Sequence, residues 1–245
     1  MSLISKPFVS LAFLFLFLFS YRCIATELSD AGLYVLPYPQ QVTIGGDAFI
    51  VNNDLTIVLN KNHSAADAFV ANELAKDMKD QWNISAQISN QKGECSIVLL
   101  RKKINAKHPT QSYQITVGKN EIIITGNDEE GLFYGTRTLL QLILKKGNVY
   151  QVPGMKITDW PAILQRAIHY DTKHHQDKMG YVKSFIKELA DYKVNMLVWE
   201  WEDKFAYPSH PEIGAPGAFT PAEIRDVTAY AKKYHIQIVP LVQGL

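Results

Sequence analysis

Cysteine is almost absent: the 245 residues hold two, Cys23 and Cys95. Cys23 sits in a leading segment that reads as removable. A processed chain keeps only Cys95, so an intramolecular disulfide is excluded and the fold must rest on its core. An excess of charge of one sign is missing too. Lys and Arg number 25 against 24 Asp and Glu, a net charge of +1, and no basic stripe runs along any segment. That excludes the electrostatic footprint of a nucleic-acid binder. After residue 25 no apolar run is long enough to cross a bilayer. Internal repeats and low-complexity tracts are absent as well. What is plentiful is apolar surface: 47% of the residues are hydrophobic, enough for a sizeable core and too much for wholesale disorder.

The first 25 residues read as a processing signal. Lys6 gives a positive start, residues 8–19 are almost unbroken apolar sequence, and Cys23-Ile24-Ala25 ends on a small residue. Cleavage is expected after Ala25, with the mature protein secreted, periplasmic or lumenal and free of the membrane. An uncleaved anchor is the competing reading; Ser20-Tyr21-Arg22 is a poor approach to a lipid anchor on Cys23. Asn62-His63-Ser64 and Asn83-Ile84-Ser85 are glycosylation acceptors in a eukaryotic secretory pathway.

The mature chain divides around residues 153–161, where two prolines and a glycine interrupt two regions of different rhythm. The first region, residues 26–155, reads as a small α+β domain. Extended pieces fall at 49–59 with a polar break at Asn52-Asn53-Asp54. Ser64 N-caps a helix running to about Gln81, and 96–100 is a short buried strand. Residues 113–117 and 121–125 flank Gly118-Lys119-Asn120 as a hairpin. A helix opens at Asn127-Asp128, with Leu132, Thr136, Leu139, Leu140 and Ile143 at helical spacing.

The second region, residues 160–245, alternates. Strands are expected at 163–170, 194–201 and 236–242, and helices at 180–193 and from Thr220-Pro221-Ala222-Glu223 to about His235. Strand-helix-strand alternation means parallel pairing. The pattern fits the first portion of a (β/α)8 barrel and equally half of a doubly wound sheet. In both, ligands sit at the carboxyl ends of the strands. The first strand brings Arg166, His169, Asp171, His174 and His175, the second Glu200, Glu202 and Asp203, the third Gln243. Strand alternation puts Glu200 and Glu202 on one face and Trp199 and Trp201 on the other. Carboxylates accept hydrogen bonds from sugar hydroxyls, an arginine donates them, and an aromatic such as Tyr207 can stack on a sugar ring. Acids capping a strand in water are the plainer alternative. Adjacent histidines rarely converge on one ion, so no metal is expected, and no cofactor. Asp128-Glu129 reads as helix capping.

Five segments together carry a resemblance: DWPAILQRAIHYD, YKVNMLVWEWED, FTPAEIRDVTAYAKKYHIQIVPLVQGL, and earlier LPYPQQV with GLFYGTRTLLQLI. They resemble family 20 glycoside hydrolases, the β-N-acetylhexosaminidases, over roughly residues 31–245. The resemblance implies an α+β accessory domain followed by the first three strands of a truncated (β/α)8 TIM barrel acting on N-acetylhexosamine glycans. Arg166 matches a family arginine that binds hydroxyls of the terminal sugar. Asp171 and Asp203 match family acids, and Glu200, Glu202 and Asp203 line the same rim. Glu200 stands where the family usually has histidine, and His174 where it usually has arginine. The implied mechanism is substrate-assisted: the 2-acetamido carbonyl attacks, a Glu protonates the leaving oxygen and an adjacent Asp orients the acetamido group. That Asp-Glu pair follows a fourth strand and is expected beyond Leu245. Glu202-Asp203 has the reverse order on another strand. The chain is therefore expected to be a fragment or short form, inactive alone. The alternative is a secreted carbohydrate-binding protein without catalysis. Family 84 glycosidases fit Glu202-Asp203-Lys204 poorly.

Overall fold

A computed structural model of the chain describes residues 27–243. The expected processing signal, residues 1–25, lies outside the described residues, as does anything beyond Leu245. Among the described residues no helix is long and apolar enough to cross a membrane.

The first region opens with a short helix α1 (Glu27–Asp30) and then β1 (Gln41–Ile44), β2 (Phe49–Val51) and β3 (Leu55–Leu59). It continues through α2 (Ala65–Trp82), β4 (Ala86–Ser89), β5 (Cys95–Arg101), β6 (Tyr113–Val117) and β7 (Glu121–Gly126). It closes with α3 (Glu129–Leu142), β8 (Leu144–Lys146), β9 (Val149–Val152) and β10 (Met155–Asp159). A seven-stranded sheet runs β1-β10-β6-β7-β5-β3-β4, and a small antiparallel sheet runs β2-β9-β8. The strands β4, β3, β5 and β7 are parallel, which buries both faces of β3; its LTIVL sequence is buried at all five positions.

Capping fixes the two long helices of this region. The Ser64 Oγ accepts from the Asp67 N–H at 3.2 Å while Asp67 accepts from the Ser64 N–H at 2.9 Å, a complete capping box. Asn83, at φ 56°, ends that helix in the left-handed conformation. Asp128 caps α3, accepting from the Gly131 N–H at 2.7 Å and the Gln111 N–H at 2.8 Å. α3 lies so close to the β6–β7 hairpin that a Cβ on Gly131 would come 2.1 Å from the Ser112 carbonyl oxygen. Glycine is required there for the approach itself.

The first region runs on to Asp159, inside the expected interruption. Residues 155–159, expected to belong to the interruption, form β10, paired on both sides with β1 and β6. Pro153 and Gly154 mark a turn into a strand, and the buried alternation of Met155 and Ile157 supplies its inner face.

The second region holds β11 (Ala167–Tyr170), α4 (Met179–Asp191), β12 (Met196–Glu200), α5 (Pro221–Lys233) and β13 (Gln237–Leu241). Its sheet is parallel in the order β11-β12-β13, with Ala167 opposite Met196 and Glu200 opposite Leu241. Thr220 and Glu223 form the expected capping box on α5. α4 stops where Lys193, at φ 60°, turns the chain and donates its N–H to the Ala190 carbonyl. The buried faces of α4 (Val182, Ile186, Leu189) and α5 (Ile224, Val227, Ala231) meet Leu197 and Trp199 of β12.

Buried charge joins the two regions. The Arg137 guanidinium, fully enclosed, reaches Asp77 at 2.5 Å and Asp191 at 3.2 Å, and Lys187 of α4 pairs with the same Asp77. Tyr234 donates to Glu73 at 2.7 Å. The Lys193 ammonium lies 2.8 Å from the Tyr113 hydroxyl and 3.3 Å from Asp159.

This burial makes the fold sensitive to alkali. Burial, first among the causes, raises the hydroxyl pKa of Tyr113, Tyr134, Tyr170 and Tyr234 above 10. Above pH 10 these groups keep their protons when folded and lose them when unfolded, so the folded state binds more protons and stability falls as pH rises. Each tyrosine that stays protonated costs up to about 1.4 kcal/mol per pH unit. Lys193, whose pKa burial lowers against the pull of Asp159, acts in the opposite sense as pH rises toward 10.5, but it is one group against four. The urea midpoint, followed by circular dichroism, is expected not to fall between pH 8 and 9.5 and to drop steeply above 10. A midpoint unchanged at pH 11 would contradict this account.

Candidate functional site

β12 sorts its side chains by face. Leu197 and Trp199 point into the helix layer, where the Trp199 ring lies 5.5 Å from Tyr170 and 5.4 Å from Phe219. Glu200 therefore faces the other side, at the carboxyl end of the middle strand. It is 1% exposed. Its Oε1 lies 2.9 Å from the His169 Nε2 and accepts from the Gln243 Nε2 at 3.2 Å, and the Lys173 ammonium stands 3.4 Å from its Oε2. Thr172 donates its hydroxyl to the Glu200 backbone carbonyl at 2.8 Å. Asp171, one residue past β11, is exposed. Its carboxylate accepts from the Lys173 N–H at 2.9 Å, and that bond is the main reason its pKa is lowered. The set drawn together here is His169, Asp171, Lys173, Glu200 and Gln243.

The strand ends at Glu200, and the expected alternation ends with it. Glu202 has φ 33° and opens a 3-10 turn, Glu202–Lys204, so it does not share a strand face with Glu200. Trp199 and Trp201 meet edge to face at 6.3 Å across this bend. Asp203 is half-buried, its carboxylate 2.9 Å from the Lys204 ammonium. Its carbonyl accepts from the Ala215 N–H at 2.8 Å, which ties down the loop that follows. Phe205 bridges to Phe219, and Tyr207 packs edge-on against Phe205 at 4.9 Å. Burial followed by Glu202 raises the pKa of Tyr207.

Arg166 is not part of this group. It precedes β11, so it stands at the amino end of the strands, opposite the acids. Its guanidinium donates to the carbonyls of Lys193, Ile163 and Leu164 and to the Gln111 side chain at 2.6–3.1 Å, and it lies 5.2 Å over the Tyr134 ring. The expectation that it lines a sugar site with Asp203 is corrected: Arg166 fastens the second region to the first. The strand was expected from residue 163 and begins at Ala167, because Asn195 takes the Arg166 N–H and the Leu164 carbonyl with its own side chain. A cavity of about 1130 Å3 also opens at this amino end, between Phe69 and Asn72 of α2, Thr228 of α5, and Gln237. It shares no residue with the acid group.

His174 has no ion pair or hydrogen bond to the acids, and His175 pairs with Asp177 at 3.1 Å. Among the described residues no three His, Cys, Asp or Glu side chains are gathered so as to hold a metal ion. Sequence reasoning passed over Lys173, which lies in the turn after β11, where strand periodicity gives no signal.

The sequence profile of glycosyl hydrolase family 20, domain 2, matches residues 32–160, more than half of the chain. The chain belongs to glycosyl hydrolase family 20. Among its family 20 relatives, a β-hexosaminidase of Porphyromonas gingivalis is 26% identical over 241 residues, covering 87% of this chain and 30% of that protein. β-Hexosaminidase subunit A1 of Dictyostelium discoideum is 27% identical, covering 89% of this chain and 43% of that one. The chain thus spans less than half the length of these curated relatives. In fold it is similar to the Flavobacterium johnsoniae chitobiase, with a TM-score of 0.75 at 23% identity over 87% of this chain and 35% of that one. The profile match ends at Trp160, right after β10, so this family domain coincides with the first region as the sheets define it.

Proposed function

We propose that the chain is the amino-terminal part of a secreted β-N-acetylhexosaminidase: an accessory domain and the first three strands of a (β/α)8 barrel whose rim binds a terminal N-acetylhexosamine. Family membership supports the reaction class. The observation that carries the site is the gathering of Asp171, Glu200 and the Asp203 loop at the carboxyl ends of parallel strands, where barrels place their ligands. Asp171 and Asp203 accept hydrogen bonds from sugar hydroxyls, and the Asp203 loop, anchored through Ala215 and Phe219, holds its carboxylate in place. Hydrolysis in this reading is substrate-assisted, and the Asp-Glu pair that orients the acetamido group and protonates the leaving oxygen is encoded beyond Leu245.

Titration calorimetry of the 245-residue chain with N-acetylglucosamine is expected to give measurable binding. Asp171→Ala and Asp203→Ala are expected to weaken it about 10- to 100-fold, the range for a hydrogen bond to a charged group. The same chain is expected to release no nitrophenol from nitrophenyl N-acetylglucosaminide. Turnover by it would refute the placement of the general acid, and absence of binding would refute the site.

A further inference from the structure

Glu200 is the most enclosed carboxylate in the site, and its chemistry differs from that of its exposed neighbours. At 1% exposure a sugar hydroxyl has no path to it. Its oxygens already face three nitrogen groups drawn from the end of β11, the turn after it and the residues after β13: His169, Lys173 and Gln243. One of the three, His169, is itself half exposed, with its side chain 53% accessible. The other imidazole nitrogen, Nδ1, has no hydrogen bond among the described residues.

We infer that Glu200 is a positioning residue acting through His169, and that the Nδ1 of His169 is the group that meets a hydroxyl of the bound hexosamine. This deepens the sugar-binding reading above and rests on it. A carboxylate only accepts, so a bond between Glu200 Oε1 and His169 Nε2 at 2.9 Å requires the proton on Nε2. In the neutral ring the lone pair then lies on Nδ1, and the tautomer is set by the buried partner. Gln243 donates to the same Oε1 and restrains the carboxylate in turn. Nδ1 as acceptor, with the Asp171 carboxylate and the Lys173 ammonium beside the same buried acid, gives two acceptors and one donor, a set suited to two neighbouring ring hydroxyls.

Long-range proton–nitrogen NMR on the 15N-labelled 245-residue chain tests the dyad. The His169 signals, assigned by their loss in His169→Phe, are expected to show the Nε2–H tautomer, and the Nδ1 resonance to move when N-acetylglucosamine is added. Glu200→Gln is expected to mix the tautomers. His169→Phe, checked for folding by circular dichroism, is expected to weaken sugar binding about tenfold in calorimetry. An Nδ1–H tautomer in the unsubstituted chain, or undiminished binding by His169→Phe, overturns the inference and leaves the sugar site standing. No binding of the sugar by the unsubstituted chain removes the site and this role together. If Glu200→Gln fails to fold, the tautomer of the unsubstituted chain and the His169→Phe affinity still decide.

Discussion

Asp77→Ala is expected to lower the free energy of unfolding by about 3–5 kcal/mol, the usual penalty for stripping one partner from a buried ion pair. Asp77 is 3% exposed and lies between two cations, the fully enclosed Arg137 guanidinium at 2.5 Å and the Lys187 ammonium. The alanine leaves Arg137 with Asp191, at 3.2 Å and partly in solvent, and with the Phe133 ring 4.9 Å from its central carbon. Its Nη2 already has no hydrogen-bond partner. The damage comes from an uncompensated charge rather than from a lost attraction. Replacing both members, as Asp77→Leu with Arg137→Met, is therefore expected to cost much less than Asp77→Ala alone. Urea unfolding of the two variants beside the unsubstituted chain measures both differences. A loss below about 1 kcal/mol for Asp77→Ala would mean that water reaches Arg137 and that the enclosure described above is wrong.

Trp199→Ala is expected to cost about 3–5 kcal/mol as well, by a different route. The indole is fully buried and is the hub of an aromatic cluster with Tyr170, Phe219 and Trp201 at centroid distances of 5.4–6.3 Å. Its Nε1 has no hydrogen-bond partner, so the loss is of packing alone. The void opens on the strand residue next to Glu200 and under the loop carrying Asp203. Binding of N-acetylglucosamine is therefore expected to fall with stability, whereas Asp77→Ala, at the far interface, leaves binding unchanged in the fraction that remains folded. Urea midpoints and calorimetry on the two variants check this contrast. Equal effects of both substitutions on sugar affinity would contradict the placement of the site.

The parallel second region could be read from the sequence because its signals are local. Thr220-Pro221-Ala222-Glu223 caps a helix by its own chemistry, and the apolar strands at 196–200 and 237–241 are bounded by helices of the right length. The site was legible only in part, because its geometry depends on where strands begin and end. Arg166 and Asp171 are five positions apart; a strand starting at Ala167 rather than 163 puts them at opposite ends of the sheet. The turn at Glu202 likewise breaks an alternation that a longer strand would have kept. β10 went unread because Pro153 and Gly154 look like a linker, and nothing in five residues reveals that Met155 and Ile157 have a sheet waiting on either side. Arg137 was invisible for the opposite reason: arginine reads as surface, and only the neighbouring helices bury it.

The ionic seam between the regions constrains inheritance. Asp77 and Arg137 belong to the helices of the first region, Lys187 and Asp191 to the first helix of the parallel layer. Losing Asp77 or Arg137 alone strands the other indoors, whereas Lys187 and Asp191 stand partly in solvent. A chimera that joins this first region to the rest of a relative would need the matching lysine and aspartate to come with it.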